Sequence, residues 1–170
     1  GGYFPDRLWN SQAREQANQV KYQLADGTQL DLPDFDAAKA DGEDAAAIDY
    51  REWKKQAGGG EEIGPQVRVA GRIILFRGQG KLKFITLRDW TGDIQILIGK
   101  AQVGDQDFEL SGYFDLGDWI GVDGRLGRTN TGELTVFASK LHFMGKTLEP
   151  PPEKHAGLQD PDLKQRQRYL

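Results

Sequence analysis

The sequence runs to 170 residues, with 22 Lys+Arg against 26 Asp+Glu, no cysteine, and only His142 and His155 to supply imidazole. That excludes disulfides, thiol chemistry, zinc–thiolate sites and His-rich metal centres, and the run of about 18 apolar residues that a membrane span needs is missing as well. The net charge of −4 argues against a polyanionic partner only if it is spread evenly, and it is not.

Residues 1–64 hold seven basic and thirteen acidic side chains. No basic-then-apolar leader opens them, which predicts a cytoplasmic protein. Pro5 and Asp6 supply a helix start. Trp9, Ala13, Ala17, Val20 and Leu24 then recur at spacings of three and four, which predicts a helix over 6–24. Such a helix docks on a neighbouring domain or touches RNA through Arg7, Arg14 and Lys21. Asp26-Gly27 marks a turn, and 28–42 reads as a polar loop around Pro33. A second helix is expected over 43–57, with Ile48, Tyr50 and Trp53 as its contacts. It ends at Gly58-Gly59-Gly60, which reads as a flexible linker.

The texture changes at Pro65. Residues 65–148 hold eleven basic and nine acidic side chains, so this block is mildly basic. Its apolar period is two. Val67, Val69, Ile73 and Leu75 fall on one face of a strand, with Arg68, Arg72 and Phe76 on the other and Gly71 as a bulge or bend. After a turn at Gly78-Gln79-Gly80, Phe84, Thr86 and Arg88 alternate with Ile85 and Leu87. Past Thr91-Gly92, Ile94, Ile96 and Ile98 alternate with Gln95 and Leu97. Residues 107–116 suit a short helix or compact loop. Trp119–Arg128 and Leu134–Met144 are two more strands, joined through Asn130-Thr131-Gly132. Three strands, a connecting helix and a hairpin, in about 80 residues, is the order of an OB-fold, a five-stranded barrel preceded here by a helical appendage. A generic small β-barrel has the same pattern.

Alternation also says what faces outward. Phe84 is out of phase with Ile85 and Leu87, and an exposed aromatic on a sheet face can stack on an unpaired base. Gln95 is out of phase with three isoleucines, and its amide offers a base edge both a donor and an acceptor. Arg77 ends the first strand within reach of a phosphate or base. Glu133 opens the fifth strand, and its carboxylate can accept from base N–H groups. Arg68, Arg72 and Arg88 share the outward phase and supply positive background. Each residue alone also has a plain reading, as a domain contact, a solvated side chain or a turn residue. Trp90, Trp119 and Phe137 read as packing residues.

Val69-Ala-Gly-Arg-Ile73, Gly80-Lys-Leu-Lys-Phe-Ile-Thr-Leu-Arg-Asp89, Gly92-Asp-Ile-Gln-Ile96, Leu116-Gly-Asp118 and Thr131-Gly-Glu-Leu134 occur in order. Lys154-His-Ala-Gly-Leu-Gln-Asp160 and Arg166-Gln-Arg-Tyr-Leu170 complete the set. Together these segments resemble the N-terminal part of a class II lysyl-tRNA synthetase. The resemblance implies three parts: an appendage and linker over 1–64, an anticodon-binding OB domain over 65–148, and a connector over 149–170 toward a catalytic domain. It implies that Phe84 stacks on the middle anticodon uridine, that Gln95 and Arg77 contact that base, and that Glu133 serves the first anticodon position. Phe76 stands where relatives often carry a basic residue, so either Phe76 or Arg77 takes that place. The implied partners are the lysine tRNA anticodon loop, the catalytic domain of the same chain and, for the full-length enzyme, a second subunit. ATP and Mg2+ are implied for the full-length ligase, and no cofactor for this stretch. No P-loop, paired catalytic carboxylates or Ser–His–Asp set stands in the sequence, so these 170 residues alone are not expected to aminoacylate. The rivals are a free-standing OB module for single-stranded nucleic acid and a structural or dimerisation domain. The first predicts several stacked aromatics and a strong basic excess, the second burial of Phe84 and Gln95 against protein.

Overall fold

The computed structural model describes residues 6–36 and 48–146. Pro5, the beginning of the expected second helix up to residue 47, and the connector expected over 149–170 lie outside the described residues.

The helix expected over 6–24 is three elements. Helix α1 spans Asn10–Glu15, a 3-10 turn follows at Gln16–Gln19, and strand β1 covers Lys21–Leu24. Gln12 Oε1 caps the start of α1 locally by accepting the Trp9 N–H at 2.8 Å, and two further caps come from another part of the chain. The Asn10 N–H donates to Asp89 Oδ2 at 2.7 Å, and the Ser11 N–H to Thr91 Oγ1 at 3.1 Å. These satisfy two of the helix's orphan donors and set a carboxylate at its positive end. Ala13 and Val20 reach the core, and Ala17 packs against it. Beyond Val20 the chain extends, because it finds partners on both sides. Strand β1 pairs antiparallel with β2 (Gln29–Asp31), which lies inside the segment expected to be loop, and with β3 (Gly60–Ile63).

Helix α2 (Tyr50–Ala57) stands between β2 and β3. Asp49 caps it by accepting the Glu52 N–H at 3.2 Å. Gly58 closes it in the left-handed region at φ 101°, which glycine adopts without strain. The triple glycine is therefore no loose linker: its first residue ends a helix and its third opens a strand. Tyr22, Phe35, Tyr50 and Trp53 knit this unit through tilted and edge-on rings 5.2 to 5.9 Å apart. An appendage expected to be helical thus carries a three-stranded sheet of order β2-β1-β3.

Strands β4 (Gln66–Gln79), β5 (Leu82–Asp89) and β6 (Gly92–Gly99) follow. Helix α3 (Lys100–Ser111) then leads to β7 (Trp119–Arg128) and β8 (Leu134–Gly145). They close a barrel in the order β4-β5-β6-β8-β7. Its pairings are antiparallel except for parallel β6–β8, as the OB-fold expectation requires. The period-two residues fill it: Val67, Val69, Ile85, Leu87, Ile94, Ile96, Ile98, Ile120, Val122 and Val136 are all buried. Helix α3 begins earlier than the 107–116 expected and kinks at Gly104, and Phe108 and Leu110 pack against the core. Among the described residues no helix is long and apolar enough to cross a membrane.

One phase expectation reverses. The bulge in β4 falls between Ile73 and Leu75, not at Gly71. An extra residue flips every side chain beyond it. Leu75 is therefore 52% exposed, and Phe76 packs against the core. Gly71 has another task, since a Cβ there would lie 2.7 Å from the Arg88 carbonyl oxygen. Gly71→Ala should push β4 off β5 and lower the unfolding free energy by about 1–2 kcal/mol, read as a lower urea midpoint.

Candidate nucleic-acid interface

The strand register builds a transverse row on the outer barrel surface. Arg77 on β4 is paired with Phe84 on β5, Phe84 with Leu97 on β6, Leu97 with Phe137 on β8, and Phe137 with Arg125 on β7. The Arg77 guanidinium lies 5.1 Å from the Phe84 ring centroid, and that of Arg125 lies 4.7 Å from Phe137. Two aromatics are thus held in a row with a cation at each end. Phe84 is half-buried, while its neighbour Ile85 is fully inside. The bulge settles the orientation of the Phe76-Arg77 pair: Phe76 serves the core, and Arg77 stands beside the aromatic row.

The next row is polar. Thr86 pairs with Gln95 and Gln95 with Thr135. The Gln95 Nε2 donates to Thr135 Oγ1 at 2.9 Å, and that hydroxyl donates to the Glu133 carbonyl at 3.0 Å. Thr135 is fully buried beneath them, so the Gln95 amide is oriented rather than free to swing. An open cleft of about 560 Å³ lies over this row, lined by Arg14, Thr86, Arg88, Asp93, Gln95 and Glu133. Arg88 makes a two-pronged pair with Asp93 at 2.8 and 3.1 Å, and those bonds and that charge raise it further above its ordinary value. Arg14 reaches the same wall, donating to the Asp93 carbonyl at 3.0 Å. The cleft therefore mixes two guanidiniums, two carboxylates and an amide. Such a lining discriminates among hydrogen-bonding ligands better than a uniformly basic groove.

Of the residues expected from sequence, the structure brings Gln95, Glu133 and Arg88 to the cleft and Phe84 with Arg77 to the adjoining row. Arg72 is paired with Arg88 across β4–β5 and stands at the edge of this face. Arg68 does not join them. It lies where β4 pairs with β7, gripping Asp123 at 2.6 and 3.2 Å, and His142 reaches the same carboxylate at 3.0 Å. Burial works against ionisation of Asp123, but the Arg68 and His142 hydrogen bonds outweigh it and hold the carboxyl below its ordinary value. Of the three cations on the N-terminal segment, Arg14 lines the cleft. Arg7 lies over Trp9, 4.5 Å from its ring centroid, and Lys21 pairs with Asp31.

Phe137, expected to pack, does so on the outer side of β8, half-buried beneath the Arg125 guanidinium. Its phase against buried Val136 and Ala138 carries the same signal that singles out Phe84. Trp90, also expected to pack, is 78% exposed and meets Trp9 edge-on at 5.6 Å. Among the described residues no group of three or more His, Asp or Glu is placed to hold a metal ion.

Comparison with known proteins bears on the same stretch. Residues 67–143 match the family described as an OB-fold nucleic acid binding domain, of the tRNA anticodon type. A lysine–tRNA ligase of Staphylococcus aureus is 47% identical over 110 residues, which is 65% of this chain and 22% of the ligase. The chain thus spans about a fifth of the length of the curated relatives it matches. The asparaginyl-tRNA synthetase of Pyrococcus horikoshii superposes over 64% of this chain and 27% of its own, with 23% identity and a TM-score of 0.49.

Proposed function

We propose, since residues 67–143 match the family of OB-fold nucleic-acid-binding domains of the tRNA anticodon type, that the β5–β6–β8 face holds unstacked bases of an anticodon loop. The observation that carries this reading is the juxtaposition of an aromatic row with an oriented amide and a carboxylate on adjacent strands. Bases of a single-stranded loop offer a flat face and an unpaired edge, and specific RNA recognition uses both. Phe84 supplies the stacking surface. Gln95, with one amide N–H held by Thr135, presents its carbonyl oxygen and its second N–H to the base edge. Arg77 moves from the ring to a phosphate or base oxygen. Arg14, Arg72 and Arg88 attract the backbone.

The lysine anticodon is the proposed target, in keeping with the ligase relative. Its middle uridine sits on Phe84 and Gln95, and its first position meets Glu133. Ligation of lysine to tRNA, with ATP and Mg2+, in a homodimer whose catalytic domain follows the barrel, is the proposed activity of the longer protein. The cytoplasm is its proposed compartment. No residue described here is assigned to ATP or Mg2+. Within this chain Phe84 and Gln95 are half-exposed beside the cleft, which leaves a ring face and an amide accessible to a base.

Replacing Gln95 tests the reading. Gln95→Ala should cut the preference for a middle uridine over other bases by about tenfold, the worth of one or two hydrogen bonds, in stem-loop binding assays. An unchanged preference contradicts the assignment.

A further inference from the structure

We infer that the N-terminal sheet unit is a clamp on the β7–β8 hairpin, holding residues 129–133 in place and through them the Glu133 carboxylate. The inference rests on the proposed role of Glu133 and adds its positioning residues, Phe35 above all.

Two hands of the unit grip the hairpin. The first is Phe35, 2% exposed, whose side chain packs closely against Gly132. A Cβ at Gly132 would meet three Phe35 atoms within 3.0 Å, and its φ of 85° is one that side chains rarely adopt. Arg128 passes over the same ring at 5.7 Å and donates to the Gly132 carbonyl at 3.0 Å, while Asp36 takes its other side at 3.3 Å. The second hand is Glu62 on β3. It accepts from the Arg128 backbone N–H at 3.1 Å, from Arg125 at 2.7 Å and from the Tyr50 hydroxyl at 2.7 Å. Inside the hairpin, Thr129 N–H donates to the Glu133 carbonyl at 3.0 Å, and Glu133 N–H donates to Thr129 Oγ1 at 3.2 Å.

The consequence is mechanical. Hairpin tips are ordinarily among the most mobile parts of a barrel. A carboxylate on a mobile tip adapts to whichever base is presented and discriminates poorly. Held within a fraction of an ångström, it favours the base whose donors fit. The backbone that carries Glu133 is packed on Gly132, and Gly132 is packed on Phe35, so the selectivity of one site depends on a ring in another unit.

Amide exchange and binding, measured together on Phe35→Ala, test this. Without RNA, the amides of Thr129, Gly132 and Glu133 should exchange about tenfold faster than in the unaltered protein, while those of Ile85 and Ile96 in the barrel keep their protection. With anticodon stem-loops, preference at the first anticodon position should fall about fivefold, with middle-base preference unchanged. Phe35→Leu keeps most of the volume but loses the ring, and should show both effects in the same direction at a smaller size, about threefold in exchange. It also carries the test should Phe35→Ala fail to fold. Unchanged exchange at the hairpin overturns the clamp, and so does unchanged first-position preference beside faster exchange. An unaltered protein with no first-position preference contradicts the proposed role of Glu133 instead. The two failures are told apart because exchange is read without RNA.

Discussion

Phe84→Ala should weaken binding of a lysine-type anticodon stem-loop by about 1–3 kcal/mol, roughly 5- to 150-fold in Kd, the worth of one base–aromatic stack. The ring sits on the outer side of β5, half-buried between Arg77 and Leu97, while Ile85 beside it fills the barrel. Truncation therefore removes the platform without opening the core, and the urea midpoint should hardly move. Arg77 would lose the ring it now lies over at 5.1 Å and become more mobile, which adds to the loss. Phe84→Tyr keeps a flat face and should bind within about twofold of the unaltered protein. A Phe84→Ala protein that binds as tightly as its parent removes the stacking role.

The largest expected effect on stability is at Asp89, distant in sequence from the helix it serves. Asp89 is 9% exposed, and its carboxylate accepts from the Asn10, Thr91 and Gly92 N–H groups at 2.7, 2.8 and 3.2 Å, and from the Thr91 hydroxyl. Asp89→Ala would leave the N-terminal donors of α1 and the β5–β6 turn unpaired at once, costing about 3 kcal/mol. The dependence on pH follows from the same bonds. Burial opposes ionisation of Asp89, but the hydrogen bonds from Thr91, Asn10 and Gly92 outweigh it and hold the carboxyl below its ordinary 3.8. The stability it confers is present above that ordinary value and is lost as pH falls through the lower folded one. Asp89→Asn should therefore make the acid limb of the unfolding curve shallower. It should not flatten it, because Asp123 is depressed as well. An acid limb identical to the parent's would show that the Asp89 bonds contribute nothing to folding.

Much of the barrel was legible because its signal is local and repeated. Ile94, Ile96 and Ile98 alternate with Gln95 and Leu97, and no other arrangement buries three isoleucines on one face of a strand. The outward placement of Phe84 and Gln95 follows from the same rule. The rule fails where one residue breaks the count. The bulge after Ile73 exchanges Leu75 and Phe76 between core and surface, and nothing in the local sequence marks it. The N-terminal helix shows a second limit. Its apolar spacing is helical through Val20, but its caps are Asp89 and Thr91, and β1 exists only because β2 and β3 flank it. Asp89, Thr91 and β3 come from far along the chain and leave no trace in a short window, and β2, although it follows β1 across the Asp26-Gly27 turn, is only three residues long. Arg68 has the outward phase expected of it, yet its guanidinium is taken by Asp123, a pairing that alternation cannot foresee. The acidic appendage is likewise intelligible only in contact, as Glu62 and Asp36 meet Arg125 and Arg128.

The most direct measurement compares two anticodon stem-loops at low and equal salt, where phosphate contacts are strong enough to observe binding. One carries the lysine anticodon, and the other differs only at its middle uridine. A face that reads this base through Phe84 and Gln95 should bind the altered loop about tenfold or more weakly, as one mismatched contact costs about 1–3 kcal/mol. Equal affinity for the two loops would contradict anticodon recognition by this barrel.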